Sequence, residues 1–237
     1  MSVAALVLAA GSGGRLGHPL PKAFVLIGGK PLLLYSLETL ASVQEIDCVV
    51  PVIAGADLDR FRALGLDGIP KLAAPVVGGA ERQDSVAAGL AALSNHAVLN
   101  QDESSLVVIH DAARPWVRPA AVSRVVAAAR RDGAAILAVP VADTIKRVSD
   151  GRVIETPNRA ECWVAQTPQV FRLGLLREAL ARAEAAGRLA TDDAQLVEWL
   201  GAPVTIVPGD ADNQKITFAE DLAAAGHRLD RAPGEKK

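Results

Sequence analysis

Aromatic side chains are scarce in this 237-residue chain: they make up 3% of it, while half of the residues are hydrophobic, mostly Ala, Val and Leu. A core of such small side chains packs in regular layers, which suits α/β architecture. Cysteine is rarer still. Cys48 and Cys162 lie far apart, with no C-x-x-C pattern and no His at ligand spacing, so neither a zinc site nor a disulfide scaffold is expected, and both read as reduced thiols of a cytoplasmic protein. A surplus of one charge is also missing. The 25 Lys and Arg against 27 Asp and Glu give a net charge of -2, without the basic face that nucleic-acid binding requires. No apolar run approaches the ~20 residues that span a bilayer, so no membrane partner is expected. The apolar opening, Met1 to Ala10, has no basic stretch before it and runs directly into Gly11, which favours a buried first strand over a secretion signal.

Short β-branched runs alternate with longer amphipathic stretches, the pattern of strands joined by helical crossovers. Strands are predicted at Ala4 to Ala9, Cys48 to Ile53, Ala74 to Val77, Leu106 to His110, Ala135 to Val139 and Val204 to Val207. Helices are predicted at Leu32 to Ala41, Leu58 to Leu64, Arg82 to Leu93, Pro119 to Arg131, Leu173 to Ala186 and Asp192 to Leu200. Runs such as Leu106-Val107-Val108-Ile109 suit burial on both sheet faces, as in parallel strands. The expected fold is α/β, a Rossmann-like, mostly parallel sheet with helices on both faces, in a single domain over residues 1–230 with a disordered tail at 231–237 and a polar surface loop from Asn95 to Ser105. Between Asp143 and Arg159 the pattern changes: Thr144 to Val148 and Val153 to Thr156 flank an Asp150-Gly151 turn, which reads as a protruding β-arm. A lone two-stranded ribbon is marginal in water, so this arm is expected to serve dimerisation.

Ligands of open α/β sheets bind beyond the C-terminal strand ends. Gly11, Gly78-Gly79, His110-Asp111 and Asp143-Thr144 each follow an apolar run, so these segments are expected around one crevice. In Gly11-Ser12-Gly13-Gly14-Arg15, followed by Pro21-Lys22, the absence of Cβ atoms lets backbone N–H groups converge on an anion, and Arg15 and Lys22 add full charges suited to a triphosphate. The P-loop pattern G-x-x-x-x-G-K-[ST] is absent, and Leu16 breaks the dinucleotide fingerprint G-x-G-x-x-G, which counts against a dehydrogenase. Gly79 leads into a helix start where Arg82 and Ser85 lie, a place for a phosphate or a base edge. Asp111 ends a strand beside this crevice, where magnesium needs only one or two carboxylates next to substrate phosphates. His110 reads as a hydrogen-bonded core residue rather than a catalyst. Arg159 and Lys215 read as exposed charges and Thr191 as a helix cap when each is taken alone.

Taken together, the blocks Ala9-Ala10-Gly11 to Lys22, Gly79 to Ser85, His110 to Pro115, Asp143 to Lys146, Gln166-Thr167-Pro168-Gln169, Thr191 to Ala194 and Asn213 to Thr217 resemble those of the 2-C-methyl-D-erythritol 4-phosphate cytidylyltransferases, in their order and almost end to end. The resemblance implies a homodimer with an interlocking arm that transfers CMP from CTP to 2-C-methyl-D-erythritol 4-phosphate, releasing pyrophosphate, with Mg²⁺ or another divalent cation. Ala9, Ala10, Gly11, Ser12, Gly13, Gly14, Arg15, Lys22, Gly79, Arg82, Ser85, Asp111 and Ala112 are implied on the nucleotide side. Asp111, Arg114, Thr144, Arg159, Thr167, Thr191 and Lys215 are implied around the acceptor. Of these, Arg15 and Lys22 would stabilise the transition state, while Arg159 and Lys215 would position the acceptor phosphate. Metal ligands are left open beyond the CTP phosphates, with Asp111 the candidate from the protein. The rivals are the same chemistry on ribitol 5-phosphate and a silent nucleotide-binding module, although such a module would be expected to lack Arg15, Lys22 or Lys215.

Overall fold

The computed structural model describes residues 1–11, 13–94 and 102–230; Ser12, most of the loop expected from Asn95 to Ser105 and the expected 231–237 tail lie outside the described residues. In chain order the elements are β1 (Val3–Ala9), β2 (Leu26–Ile27), β3 (Lys30–Pro31), α1 (Leu32–Ser42), β4 (Cys48–Ile53), α2 (Leu58–Arg62), β5 (Val76–Val77), α3 (Arg82–Ser94), β6 (Leu106–Asp111), α4 (Pro119–Asp132), β7 (Ala134–Pro140), β8 (Arg147–Ser149), β9 (Arg152–Glu155), β10 (Trp163–Arg172), α5 (Leu173–Ala185), α6 (Asp193–Glu198), β11 (Thr205–Pro208) and α7 (Ala219–Asp230). The main sheet has the order β11-β7-β10-β6-β1-β4-β5. Its pairs are parallel except where β10 runs antiparallel between β6 and β7.

Side-chain alternation explains the layers. Val3, Ala5 and Val7 of β1 join a core with Leu33, Leu37 and Leu40 of α1 and Val122, Val125 and Val126 of α4. Ala4 and Leu6 join the opposite core, with Val86, Leu90 and Leu93 of α3, Leu176 of α5 and Val197 of α6. Full burial of one such Leu or Val contributes ~1.5–3 kcal/mol, so the two packed faces dominate stability. The start of α4 has local support as well: Pro119 occupies the first turn, where a missing N–H does no harm. A smaller cluster of Leu16, Val25, Ile27, Leu32, Ala113, Ile216 and Ala225 ties the glycine-rich loop, the β2–β3 ribbon, the Lys215 segment and α7 together.

The arm is the hairpin β8–β9. Asp150 and Gly151 have φ of 48° and 73°, the left-handed pair that a tight hairpin turn requires. None of its strand residues is buried, and Val148, Val153 and Ile154 stay 53%, 59% and 51% exposed. Four elements were not foreseen: the short strands β2 and β3 of the small ribbon, β10 and α7. The strand β10 was not foreseen, because Gln166, Thr167, Pro168 and Gln169 interrupt its apolar pattern, and a proline argues against a central strand. The sheet accommodates them at a register shift between Ala165 and Gln169, where Thr167-Pro168 is a cis peptide. Helix α7 was likewise not foreseen, although its apolar residues recur at helical spacing. Asp192, rather than Thr191, caps α6, its side chain accepting from the Gln195 N–H. No helix among the described residues is long and apolar enough to cross a membrane.

Candidate active site

A cleft of about 600 Å³ opens beyond the ends of β1 and β6, lined by Ala9, Ala10, Gly11, Gly13, Gly14, Arg15 and Lys22 from the first loop, Gly79, Glu81, Arg82 and Ser85 from the start of α3, Asp111 and Ala112 after β6, and Lys215 and Thr217. The sheet register puts Leu8 of β1 directly opposite Asp111, which is why these distant segments meet. Arg15, Lys22, Arg82 and Lys215 face only Glu81 and Asp111 among the lining carboxylates, so the cleft holds a positive surplus. An anionic ligand fits it.

The first loop is held from below. Leu16 is buried, and its N–H bonds the Gly13 carbonyl at 2.8 Å. Lys22 opens a short turn whose Ala23 and Phe24 are buried, and its Nζ donates to the Ile216 carbonyl at 3.2 Å. At Gly13, φ is 69°, and an added Cβ would stand 2.6 Å from the Lys22 Cβ. Gly13→Ala is therefore expected to lower stability by roughly 1–2 kcal/mol from the backbone alone and to displace Lys22, measurable as a lower Tm together with slower turnover. An unchanged Tm would show that the loop has another conformation available.

Four charges alternate along the floor. Lys215 Nζ lies 2.6 Å from Asp111 Oδ2, Arg82 Nε lies 3.3 Å from Asp111 Oδ1, and Arg82 Nη2 lies 2.7 Å from Asp193 Oδ2. Burial alone would raise the Asp111 carboxyl, but Arg82, Lys215 and Arg114 hold it well below the usual carboxylate range. Burial pushes the Lys22 ammonium down, and the positive Lys215 pushes it further. His110 is fully buried, and its burial lowers its pKa to about 4. Thr167 Oγ1 lies 3.0 Å from its Nδ1 and accepts from the Asp111 N–H at 3.1 Å. The Arg114 carbonyl, 3.1 Å from Nε2, can only accept, so the neutral ring carries its proton on Nε2 and the Thr167 hydroxyl donates to Nδ1. This neutral, fully bonded ring is a structural pin and does not line the cleft.

Not every residue implied on the acceptor side lies in this cleft. Thr167 is buried beneath it, and Arg114 is tied to the Asn213 and Ala165 carbonyls at 2.8 and 3.3 Å. Thr191 is exposed before α6, and its N–H donates to Gln195 Oε1. Asp143 and Thr144, expected around the same crevice, are exposed at the base of the arm because β7 lies beyond β10 in the sheet. Arg159 is also exposed there, its Nη1 bonding the Ala142 carbonyl at 2.7 Å. The supporting side chains Gln169, Asp193 and Asn213 received no role from the sequence, since their partners lie far along the chain. As for a metal, no cluster of three or more His, Cys, Asp or Glu exists among the described residues. With Asp111 as the single buried carboxylate lining the cleft, the donor set fits a divalent cation carried mainly by ligand phosphates, not one caged by protein.

Comparison with known proteins identifies the family. The family model described as 2-C-methyl-D-erythritol 4-phosphate cytidylyltransferase matches residues 3–231. Proteins of that name from Syntrophotalea carbinolica and Chromobacterium violaceum are 43% identical over 237 residues and 47% identical over 223 residues, alignments covering 99% and 93% of this chain and 99% and 95% of theirs. The crystal structure of 4-diphosphocytidyl-2C-methyl-D-erythritol synthase from Anaerococcus prevotii superposes with a TM-score of 0.84 at 32% identity, covering 97% of this chain and 96% of that one. That of the Thermus thermophilus cytidylyltransferase gives 0.74 at 36% identity, covering 98% and 100%. The chain belongs to the 2-C-methyl-D-erythritol 4-phosphate cytidylyltransferase family.

Proposed function

We propose that this protein transfers CMP from CTP to 2-C-methyl-D-erythritol 4-phosphate, giving 4-diphosphocytidyl-2-C-methyl-D-erythritol and pyrophosphate for isoprenoid precursor synthesis by the non-mevalonate route. The observation that carries the reading is the positive surplus of the cleft, to which Arg15, Lys22, Arg82 and Lys215 contribute. An acceptor phosphate oxygen attacks the α-phosphorus of CTP in line as the bond to pyrophosphate breaks. That oxygen is already ionised, so no general base is needed, in keeping with the withdrawn position of His110. The residues' task is to hold two anions together and to neutralise charge on the non-bridging oxygens. Ser85 favours cytosine: its hydroxyl proton goes to the Glu81 carbonyl at 3.2 Å, which leaves oxygen lone pairs for an amino donor such as the cytosine exocyclic amine. A magnesium ion beside Asp111 would supply further charge neutralisation at the phosphates.

Pyrophosphate release measured with four nucleoside triphosphates, each with the methylerythritol phosphate or ribitol 5-phosphate, tests this. CTP with the first acceptor is expected to dominate; equal or faster turnover with ribitol 5-phosphate would transfer the reading to the rival acceptor.

Two copies are proposed to pair in the cytoplasm through the arm, whose Val148, Val153 and Ile154 leave apolar surface exposed. In such a pair Arg159, outside the cleft of its own chain, would serve the acceptor phosphate of the other. Arg159→Ala is then expected to raise the acceptor KM by about tenfold or more while the CTP KM stays level. Unchanged acceptor saturation would remove Arg159 from that role, and a monomer by light scattering across micromolar concentrations would count against the pairing.

A further inference from the structure

Asp193 is 1% exposed, yet among the described residues its side chain makes a single hydrogen bond, to Arg82 Nη2. Its Oδ1 is buried without a partner. A buried carboxylate kept for structure normally has both oxygens satisfied. Nor does α6 need this side chain as a cap. Asp192 accepts from the Gln195 N–H, and Gln169 Oε1 accepts from the backbone N–H groups of Asp193 and Ala194, both at 3.0 Å. Gln169 in turn donates to Asp192 at 2.8 Å, so the first turn is pinned without the Asp193 carboxylate.

What Asp193 does touch is Arg82, which shares the Asp111 carboxylate with Lys215. The carboxylate of Asp111 is divided between Arg82 and Lys215, and unequally: the Arg82 contact is 3.3 Å, whereas Lys215 lies at 2.6 Å. The shorter contact of Arg82, at 2.7 Å, is with Asp193. Asp193 thus draws Arg82 away from Asp111. A guanidinium freed from that hold would close on Asp111 with paired N–H groups, the favoured Arg–carboxylate geometry, and displace Lys215.

We propose that Asp193 is a positioning residue for cytidylyl transfer, restraining Arg82 so that Asp111 remains engaged with Lys215 beside the reacting phosphates. It does not contact substrate, and its effect rests on the proposed reaction. Loss of the restraint moves Arg82 but leaves the first loop and Ser85 intact, so most nucleotide contacts are kept while the reacting geometry is lost.

The test is steady-state kinetics, by pyrophosphate release, on wild type, Asp193→Asn, Arg82→Gln and the double variant. Asp193→Asn is nearly isosteric and is expected to lower kcat by about tenfold or more, with the CTP KM not raised and the Tm held close to wild type. The double variant is expected to turn over no more slowly than Arg82→Gln alone, because a restraint has no function once the restrained charge is gone. Near-normal kcat in Asp193→Asn, a CTP KM that rises in step with a falling Tm, or losses that add in the double variant would overturn the proposal. If Asp193→Asn does not fold, the double variant removes both buried charges together and the comparison with Arg82→Gln still decides, a slower double variant overturning it. Wild type inactive on CTP and the methylerythritol phosphate would instead refute the reaction itself.

Discussion

Lys22→Ala is expected to lower kcat at least about a hundredfold, the loss seen when one positioned donor to transition-state charge is removed, equivalent to roughly 2.7 kcal/mol of barrier. The expected structural consequence has the opposite sign. Burial and the neighbouring Lys215 both disfavour the Lys22 ammonium, so without nucleotide this charge sits against its surroundings. Its one hydrogen bond among the described residues is to the Ile216 carbonyl, whereas the turn that carries it is anchored by Ala23 and Phe24. Truncation should therefore leave the Tm unchanged or slightly higher while turnover collapses, the opposition expected where function requires an unfavourable charge. Kinetics and thermal unfolding on the same preparation check both halves. Turnover near the wild-type rate would take Lys22 out of the reaction, and a large fall in Tm would mean that the ammonium serves the fold.

Much of this arrangement could be read from residue order alone, for identifiable reasons. β1, β4 and β6 are buried on both faces, so their apolar runs are unbroken and their bounds lie within a residue of expectation. The Asp150-Gly151 turn announced the arm because few residue pairs accept left-handed φ twice in succession. β10 was hidden for the converse reason: its buried Gln166, Thr167 and Gln169 are satisfied by Asp210, His110 and Asp192, partners that no local pattern reveals. The Arg82–Asp193 pair spans 111 positions and depends on two loops meeting over a sheet edge. In Thr191-Asp192-Asp193 the sequence offered two carboxylates after a hydroxyl; only the fold shows that the first caps α6 and the second turns inward to Arg82.

The same fold makes stability fall in mild acid through His110. Its folded-state pKa of about 4 lies below the ordinary histidine value of 6.5, so between these limits the unfolded chain binds a proton that the native chain refuses. The neutral ring's contribution is complete above pH 6.5 and is lost as the pH falls toward 4; a fall from 6.5 to about 4 corresponds to roughly 3 kcal/mol. Asp111, its carboxyl depressed by Arg82 and Lys215 against the effect of burial, loses its own contribution only at lower pH. A His110→Gln variant, able to donate to the Arg114 carbonyl without titrating, separates the two. It should be less stable than wild type at pH 7, where the fitted ring and its Thr167 bond are lost, but its urea-unfolding free energy should stay nearly flat from pH 7 to 4.5 while that of wild type declines and the two converge. Parallel curves would mean that the ring is protonated in the native state, and Thr167 would then have to turn its hydroxyl proton away from Nδ1.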